Sequence, residues 1–264
     1  MLKKFSLCVA LFASLTPALI GQTVDEIIAK SVEARGGMEK LKAVKSMRST
    51  GKMELGPGME APGTMYQKRP NMVRLEFTIQ GLTAVQAYDG KSGWMIMPFT
   101  GKKDPEAMTA DDAKEMEEDA DMDGPLVDYK SKGNTVELLG KEKLEGTDAY
   151  KLKVTLKNGD IKTIYLDSDS YLEIKEEGKR MVRGNEQEFE SSLSDYREVD
   201  GVMFPFAIES GVKGSQQKQK LTIEKLELNV PAEDSNFKMP AAAPVPAAKP
   251  AAPKPEEKKE PPKN

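Results

Sequence analysis

Residues 66–99 read YQKRPNMVRLEFTIQGLTAVQAYDGKSGWMIMPF. Apolar and polar residues alternate from Val73 to Ile79, which is the period of a strand with one buried face. Asp89-Gly90 separates two extended runs, and glycine tolerates the positive φ of a tight hairpin turn. Pro70 cannot donate to a sheet ladder, so it indicates a strand junction or an edge. The stretch therefore predicts consecutive antiparallel strands.

The same pattern continues through most of the chain. Alternating runs flank Asn158-Gly159 and Asp200-Gly201, and each of these pairs predicts a further hairpin. The apolar parity slips by one residue near Lys225, which predicts a β-bulge or a bend. Many hairpins and few helices favour a strongly curved antiparallel sheet of about ten strands in a mainly β, α+β domain. The residues expected to face inward are Leu75, Phe77, Leu152, Val154, Phe204 and Phe206.

Three helices are expected outside the sheet. Thr23 and Glu26 form a capping box, and Gly36-Gly37 ends the first helix. A short second helix follows over residues 38–44. The strongly acidic segment 104–123 is predicted to leave the sheet, and within it Thr109 can cap a helix with a thin apolar stripe. That stripe consists of Ala113, Met116 and Ala120.

The two ends of the chain differ from the domain predicted over residues 22–239. Residues 1–21 carry Lys3 and Lys4 before a short apolar run, which predicts a cleaved export signal and a periplasmic protein. An uncleaved anchor is the alternative. Residues 240–264 are rich in proline, alanine and lysine and are predicted to form a disordered tail.

Composition excludes several classes of function. The chain has no histidine, and its one cysteine, Cys8, lies in the predicted signal, so neither a disulfide nor a transition-metal site is expected. The formal net charge of −4 and the low aromatic content of 6% argue against a nucleic-acid partner. No cofactor is expected.

Two short motifs have an incomplete pattern. Asp119, Asp121 and Asp123 follow the first half of a calcium loop, but Lys130 occupies the position that requires a bidentate glutamate. Ser49 and Lys52 have the Ser-x-x-Lys spacing of acyl-enzymes, but they fall in a predicted strand without the partner motifs. Neither motif predicts a site.

Residues 66–99 resemble the outer-membrane lipoprotein-sorting family, the LolA- and LolB-like periplasmic carriers. The resemblance rests on Lys68-Arg69-Pro70-Asn71, on Asp89-Gly90-Lys91, on Trp94 and on Pro98-Phe99. It implies a half-open antiparallel barrel wrapped over amino-terminal and lid helices, with an apolar interior that carries acyl chains. It also implies a monomer that binds the acyl chain of a lipoprotein or lipid, with an inner-membrane release complex as a candidate partner.

The resemblance also implies site residues. The arginine of the family motif latches the lid helices through their backbone, so Arg69 is the expected gate. The position three residues after the proline faces the cavity in that family, and here it is Val73. Methionine suits a surface that must fit variable chains. The expected cavity residues are Val73, Leu75, Phe77, Trp94, Met95, Met97 and Met116. For Trp94, packing in the sheet is favoured over direct contact with the ligand.

Two other functions remain open from the sequence. The first is a cell-envelope binding or scaffold protein with a packed interior, which a resolved cavity would argue against. The second is a hydrolase that uses carboxylate chemistry, which a buried carboxylate pair facing a polar cleft would favour. A non-enzymatic acyl-chain carrier is the preferred interpretation.

Overall fold

The computed structural model describes residues 22–56, 58–182 and 185–240. The predicted signal, residues 1–21, and nearly all of the predicted tail, residues 240–264, lie outside these ranges. The described strands form one curved, open antiparallel sheet. The strands are β1 (Ser46–Gly56), β2 (Met59–Lys68), β3 (Met72–Ile79), β4 (Leu82–Tyr88), β5 (Gly93–Met97), β6 (Lys102–Ala107), β7 (Thr135–Leu144), β8 (Thr147–Thr155), β9 (Ile161–Asp167), β10 (Glu173–Val182), β11 (Asn185–Val199), β12 (Val202–Val212) and β13 (Gln219–Leu228).

The sheet consists of two antiparallel meanders, β1–β6 and β7–β13, which lie side by side. The strand order runs β6-β5-β4-β3-β2-β1-β13-β12-β11-β10-β9-β8-β7, so the first strand pairs with the last and β6 and β7 are the free edges. The hairpins predicted at Asp89-Gly90, Asn158-Gly159 and Asp200-Gly201 join β4 to β5, β8 to β9 and β11 to β12. The slip predicted near Lys225 is confirmed, because the register between β1 and β13 shifts between Thr50 and Gly51.

The described sheet has more strands than the expected ten, and one correction concerns its edge. Residues 104–107 belong to β6, which pairs with β5, so the acidic segment does not leave the sheet at residue 104. The sequence of this strand, with Pro105 and the surrounding charged side chains, lacks the apolar alternation that predicts a strand. Backbone pairing at an exposed edge does not require an apolar face.

The three helices confirm the sequence prediction. Helix α1 spans Val24–Ala34 with the Thr23–Glu26 capping box in place. Helix α2 spans Met38–Ala43. Helix α3 spans Ala110–Asp119, and the Thr109 side chain accepts a hydrogen bond from the Asp112 backbone N–H at 3.2 Å. Within the described ranges, no helix has the length and apolarity needed to cross a bilayer.

All three helices pack on one face of the sheet, which we call the inner face. Directly paired residues of antiparallel strands point to the same side, so the register identifies this face across all strands. Helix α1 covers β7–β9, where Ile27 and Ile28 contact Leu152 and Ile164. Helix α2 contacts the start of β12. Helix α3 covers β3 and β4 through Met116.

The six residues expected to face inward differ in their burial. Leu152, Val154 and Phe206 are buried. Leu75, Phe77 and Phe204 are half-buried. Leu75 and Phe77 share the parity of Val73, which packs under α3, so they lie on the inner face beyond the helix. The alternation therefore identified the correct face but not how much of it the helices cover.

The opposite, outer face is covered at β3–β5 by the segment that follows β13. Trp94 lies on this face with Val85 and Ala87, and its indole N–H donates to the Phe237 carbonyl at 2.8 Å. Arg74 stacks over the Trp94 ring at 5.5 Å. Phe237 is fully buried. Trp94 therefore packs on the outer face, and the sheet separates it from the inner face.

Candidate functional site

Residues 108–134 connect one free edge of the sheet to the other across the inner face. This crossing segment contains α3 and then the turns that contain Asp121, Asp123 and Leu126. It holds a cavity of about 490 Å³ against β9–β12. Ligand sites in proteins commonly occupy about 300–1,000 Å³, so the cavity is large enough for a small amphiphile.

The cavity has an apolar floor and a charged wall. Phe189, Leu193 and Ile208 line it from the sheet, and Ser191 and Ser210 share a hydrogen bond of 2.8 Å between them. The wall from the crossing segment is acidic and includes Asp111, Glu115, Glu118, Asp119 and Asp121. Small side chains at the centre of β10–β12 leave this space open, because Gly178 and the two serines do not reach the crossing segment.

The apolar floor continues across the sheet as a single row of paired residues. Leu193 pairs with Ile208, Ile208 with Leu221, Leu221 with Met53, and Met53 with Ala61. Because directly paired side chains share a face, this row lies on the inner face. All of these residues except Ala61 are half-buried. The inner face thus offers an apolar strip that extends from the cavity floor to β2.

Arg69 joins the sheet to both covering elements. Its guanidinium donates to the Val44 carbonyl at 2.7 Å and to the Leu41 carbonyl at 3.0 Å, at the end of α2. It also donates to both carboxylate oxygens of Asp123 in the crossing segment, at 2.8 and 2.6 Å. This two-point geometry is the strong form of an arginine–carboxylate pair. The Arg69 side chain therefore bonds to backbone carbonyls at the end of a helix, which is the type of contact that the resemblance implies for a gate.

Asp123 is the buried centre of this cluster, with 3% of its side chain exposed. Lys42 donates to it at 2.7 Å, and Arg35 donates to its backbone carbonyl at 2.7 Å. Burial alone would raise the pKa of the Asp123 carboxyl, but the hydrogen bonds from Arg69 and Lys42 outweigh it and lower the pKa to about 2. The third acid of the partial calcium motif is therefore occupied by cationic side chains.

A second set of ion pairs ties α3 to the far side of the cavity. Lys162 on β9 contacts Glu118 on α3 at 2.8 Å and Glu176 on β10 at 2.9 Å. Lys114 on α3 contacts Asp160 at 2.5 Å. Burial lowers the pKa of Lys162, and the charges of Glu176 and Glu118 raise it more strongly, so the ammonium form is retained. These pairs close the cavity along its β9 side.

Glu173 lies inside the cavity without such a partner. Among the described residues, no side chain forms a hydrogen bond or ion pair with its carboxyl, although it lines the cavity with Glu176. The residue is half-buried, because the cavity reaches it. Desolvation, followed by the charge of Glu176, raises the pKa of Glu173 to about 8.

The expected cavity residues do not line this cavity. Val73 and Met116 pack against each other under α3, and this contact fills the half of the inner face where the sequence placed the ligand. Leu75, Phe77, Met95 and Met97 lie on the inner face beside α3, and the register between β4 and β5 places Met95 opposite Gln86. Trp94 lies on the outer face. The cavity instead lies against β9–β12.

Sequence reasoning missed Asp123, Lys162 and Glu173 as site residues. Asp123 lies in the partial calcium motif, which does not indicate an arginine partner. Lys162 is a single charged residue on the apolar parity of β9, and such a charge is the signal that could have found it. Ile164 and Lys162 share one face of β9, which makes Lys162 such an exception. The strand β10 carries many charged residues, so no such signal distinguishes Glu173.

The sequence matches no protein-family model and no curated protein. Several solved structures are similar in fold. A DUF1329 family protein from Desulfovibrio piger has a TM-score of 0.58 at 13% identity, over 81% of this chain and 97% of that one. A LolA superfamily protein from Nitrosomonas europaea has a TM-score of 0.55 at 14% identity, over 83% and 98% of the two chains.

A third structure is a putative outer membrane lipoprotein-sorting protein domain from Vibrio parahaemolyticus. Its TM-score is 0.51 at 12% identity, and the match covers 80% of this chain and 97% of that one. At these identities the likeness concerns the fold. The chain described here therefore has a LolA-like fold, as the resemblance in its sequence predicted.

Proposed function

We propose that this protein is a non-enzymatic carrier of acyl chains, from a lipoprotein or a lipid, in outer-membrane lipoprotein sorting. The observation that supports this proposal most directly is the apolar strip of the inner face. The strip runs from Leu193 to Met53 and continues into the cavity under the crossing segment. An acyl chain that lies along it gains about 0.8 kcal/mol for each buried methylene. A scaffold protein with a packed interior would not require such a cavity.

The polar cluster at Arg69 supports a mechanism for release. Arg69 and Asp123 hold the crossing segment against α2, so these contacts stabilise the closed state even when no ligand is bound. Opening the segment for a chain breaks these contacts, and re-forming them favours expulsion of the chain. Arg69 is therefore the proposed gate.

The proposal includes export and partners. The lysines at positions 3 and 4 and the apolar run after them support a cleaved signal and a periplasmic location. The similar structures are described as a LolA superfamily protein and as a lipoprotein-sorting protein domain, which supports a lipoprotein acyl chain as the ligand. The protein acts as a monomer, and an inner-membrane release complex is its candidate partner.

A carboxylate-dependent hydrolase is the second candidate function. The observation that favours it is the half-buried Glu173, with its raised pKa, beside Glu176 in a partly polar cavity. The two functions differ in the fate of a bound ester. A carrier returns a long-chain ester intact, whereas a hydrolase cleaves it and loses that activity in Glu173→Gln.

The proposed function is tested by placing a charge on the apolar strip. Ile208→Glu puts a carboxylate on the cavity floor, where an acyl chain would have to contact it. We expect the affinity for a fluorescent fatty acid, measured by anisotropy, to fall by at least about tenfold, because burying an unpaired charge is costly.

Ala207→Glu is the matched control, because it adds the same charge one residue away on the outer face. We expect it to bind the probe like the wild type. Equal affinities for both variants and the wild type would show that the strip is not the binding surface.

A further inference from the structure

The side of the cavity between α3 and β9 combines two ion pairs with an exposed apolar side chain. Lys114 on α3 contacts Asp160, just before β9, at 2.5 Å. Lys162 on β9 contacts Glu118 on α3 at 2.8 Å. Between Asp160 and Lys162, Ile161 lines the cavity and is 50% exposed, so the cavity meets solvent there. We call this place, bounded by residues 160–162 and α3, the β9 opening.

An apolar path leads inward from the β9 opening. Gly178 on β10 lies next to it, since a Cβ added to this glycine would be 3.7 Å from Cγ of Lys162. Gly178 pairs directly with Phe189, so both lie on the inner face, and Phe189 belongs to the cavity floor. Because Gly178 has no side chain, it leaves room for a chain to pass from Ile161 to the floor.

The ion pairs at the β9 opening are more accessible to salt than the pair formed by Arg69 and Asp123. Their four side chains are 18–44% exposed, whereas Asp123 is 3% exposed. Ion pairs that reach solvent are weak, and salt screens them, because the Debye length falls from about 10 Å at about 0.1 M to about 3 Å at about 1 M. Moderate salt therefore loosens the β9 opening before it affects Asp123.

We infer that acyl chains enter and leave the cavity through the β9 opening, and that the ion pairs of Lys114 and Lys162 control the rate of this exchange. This inference rests on the proposed function and adds the route of the chain and its control. The pairs join protein groups to one another, so they close the opening in the empty and in the loaded protein alike. Weakening them lowers the barrier in both directions and leaves the equilibrium affinity unchanged.

Stopped-flow fluorescence with decanol that carries a terminal pyrene measures this exchange. The ligand is uncharged, so salt does not act on a head-group charge. In the double variant Lys114→Met with Lys162→Met, we expect the association and dissociation rate constants each to rise about tenfold, with an affinity within about twofold of the wild type. The wild-type rate constants should rise about threefold from about 0.05 to about 0.5 M salt, and those of the double variant should not change.

Lys153→Met is the matched control for the lysines. Lys153 pairs with Glu137 at 3.2 Å and lies on the outer face of β8, where it alternates with buried residues that pack under α1. This variant should keep the rate constants and the salt dependence of the wild type. An equal acceleration in Lys153→Met would indicate general loosening of the sheet and would overturn the inference.

Ile161→Trp tests the same route with the opposite sign. A larger side chain at the β9 opening should slow both rate constants by about tenfold and leave the affinity unchanged. Leu139→Trp is the matched control, because Leu139 is 52% exposed on β7, outside the cavity. It should exchange the ligand as the wild type does.

Unchanged rate constants in the double variant or in Ile161→Trp, with the alcohol still bound, would overturn the route and leave the proposed function intact. Faster dissociation with a matching loss of affinity in the double variant would also overturn it, because the lysines would then stabilise the bound ligand instead of closing an opening. A wild type that does not bind the alcohol at all would overturn both the inference and the proposed function.

Discussion

At the residue scale, the account depends most on the pair formed by Arg69 and Asp123. The sequence identified Arg69, because it stands in the Lys-Arg-Pro motif, and the structure shows it bonded to two carbonyls at the end of α2. The sequence could not identify its partner. Asp123 is far along the chain, and only the fold brings it to the guanidinium.

The Asp123 contact determines the expected effect of Arg69→Leu on stability. A residue at the rim would cost little, but here the substitution leaves a buried carboxylate with Lys42 as its remaining side-chain partner. Breaking a buried pair from one side costs about 3–5 kcal/mol. We expect chemical denaturation to show a loss in this range, and Arg69→Leu combined with Asp123→Leu to recover part of it.

The same substitution tests the gate. Loss of the latch weakens the closed, empty state, so a bound chain should be retained longer during transfer to an acceptor protein. Fluorescent fatty-acid retention measures this. Arg74→Leu is the control, because Arg74 pairs with Glu76 and lies on the outer face. Retention that is equal in the wild type and both variants would contradict the gate.

Asp123 also predicts a pH dependence. The folded state lowers its pKa from 3.8 to about 2, so the stability it contributes is fully present above about pH 4 and is lost as the pH falls through about 2. We expect the melting-temperature difference between the wild type and Asp123→Asn to be largest above pH 4 and to shrink towards pH 2. Other carboxylates titrate in both proteins, so a constant difference would exclude Asp123 as the source.

At the scale of elements, the crossing segment determines what the inner face can accept. Helix α3 is held on one side by Met116 packed on Val73, and on the other by Lys162 and Lys114. The apolar contact closes the half of the sheet where the sequence placed the ligand. The ion pairs span the half that stays open. Period and capping predicted the helix itself, but its docking position depends on long-range contacts that no local pattern encodes.

Lys162→Met should loosen α3 without unfolding the sheet. It removes the link from β9 to Glu118 and leaves two acids facing one another. We expect amide hydrogen exchange in residues 110–119 to accelerate by about tenfold, equivalent to about 1.4 kcal/mol. Lys175→Met is the matched control, because Lys175 bridges Glu177 and Glu190 and does not touch α3. Equal acceleration in both variants would indicate general destabilisation.

The two edge strands show where strand prediction from sequence failed. Neither β6 nor β7 was identified, whereas the strands flanked by a neighbour on both sides were. An interior strand must bury one face, so its apolar alternation is strong. In an edge strand, about half of the backbone N–H and C=O groups bond to water instead of to another strand. Such a strand therefore tolerates charged residues and proline, as in Lys102–Ala107. The pattern that predicted the fold is therefore weakest at its boundaries.

At the scale of the whole molecule, the inner face is one continuous surface that the helices cover in part. Helix α1 seals β7–β9, α2 seals the start of β12, and the strip from Leu193 to Met53 stays half-buried. A sheet that packed this face fully would be more stable and would have no capacity for a ligand. The incomplete cover is the physical basis for the proposed carrier function.

The central claim, that an acyl chain lies on the inner face under the crossing segment, is tested most directly by locating a brominated chain. The protein would be crystallised with a bromine-labelled fatty acid, and the anomalous signal would position the bromine. We predict a peak within about 4 Å of Phe189, Leu193 or Ile208. A bromine located only on the outer face, or a saturated crystal with none in the cavity, would contradict the account.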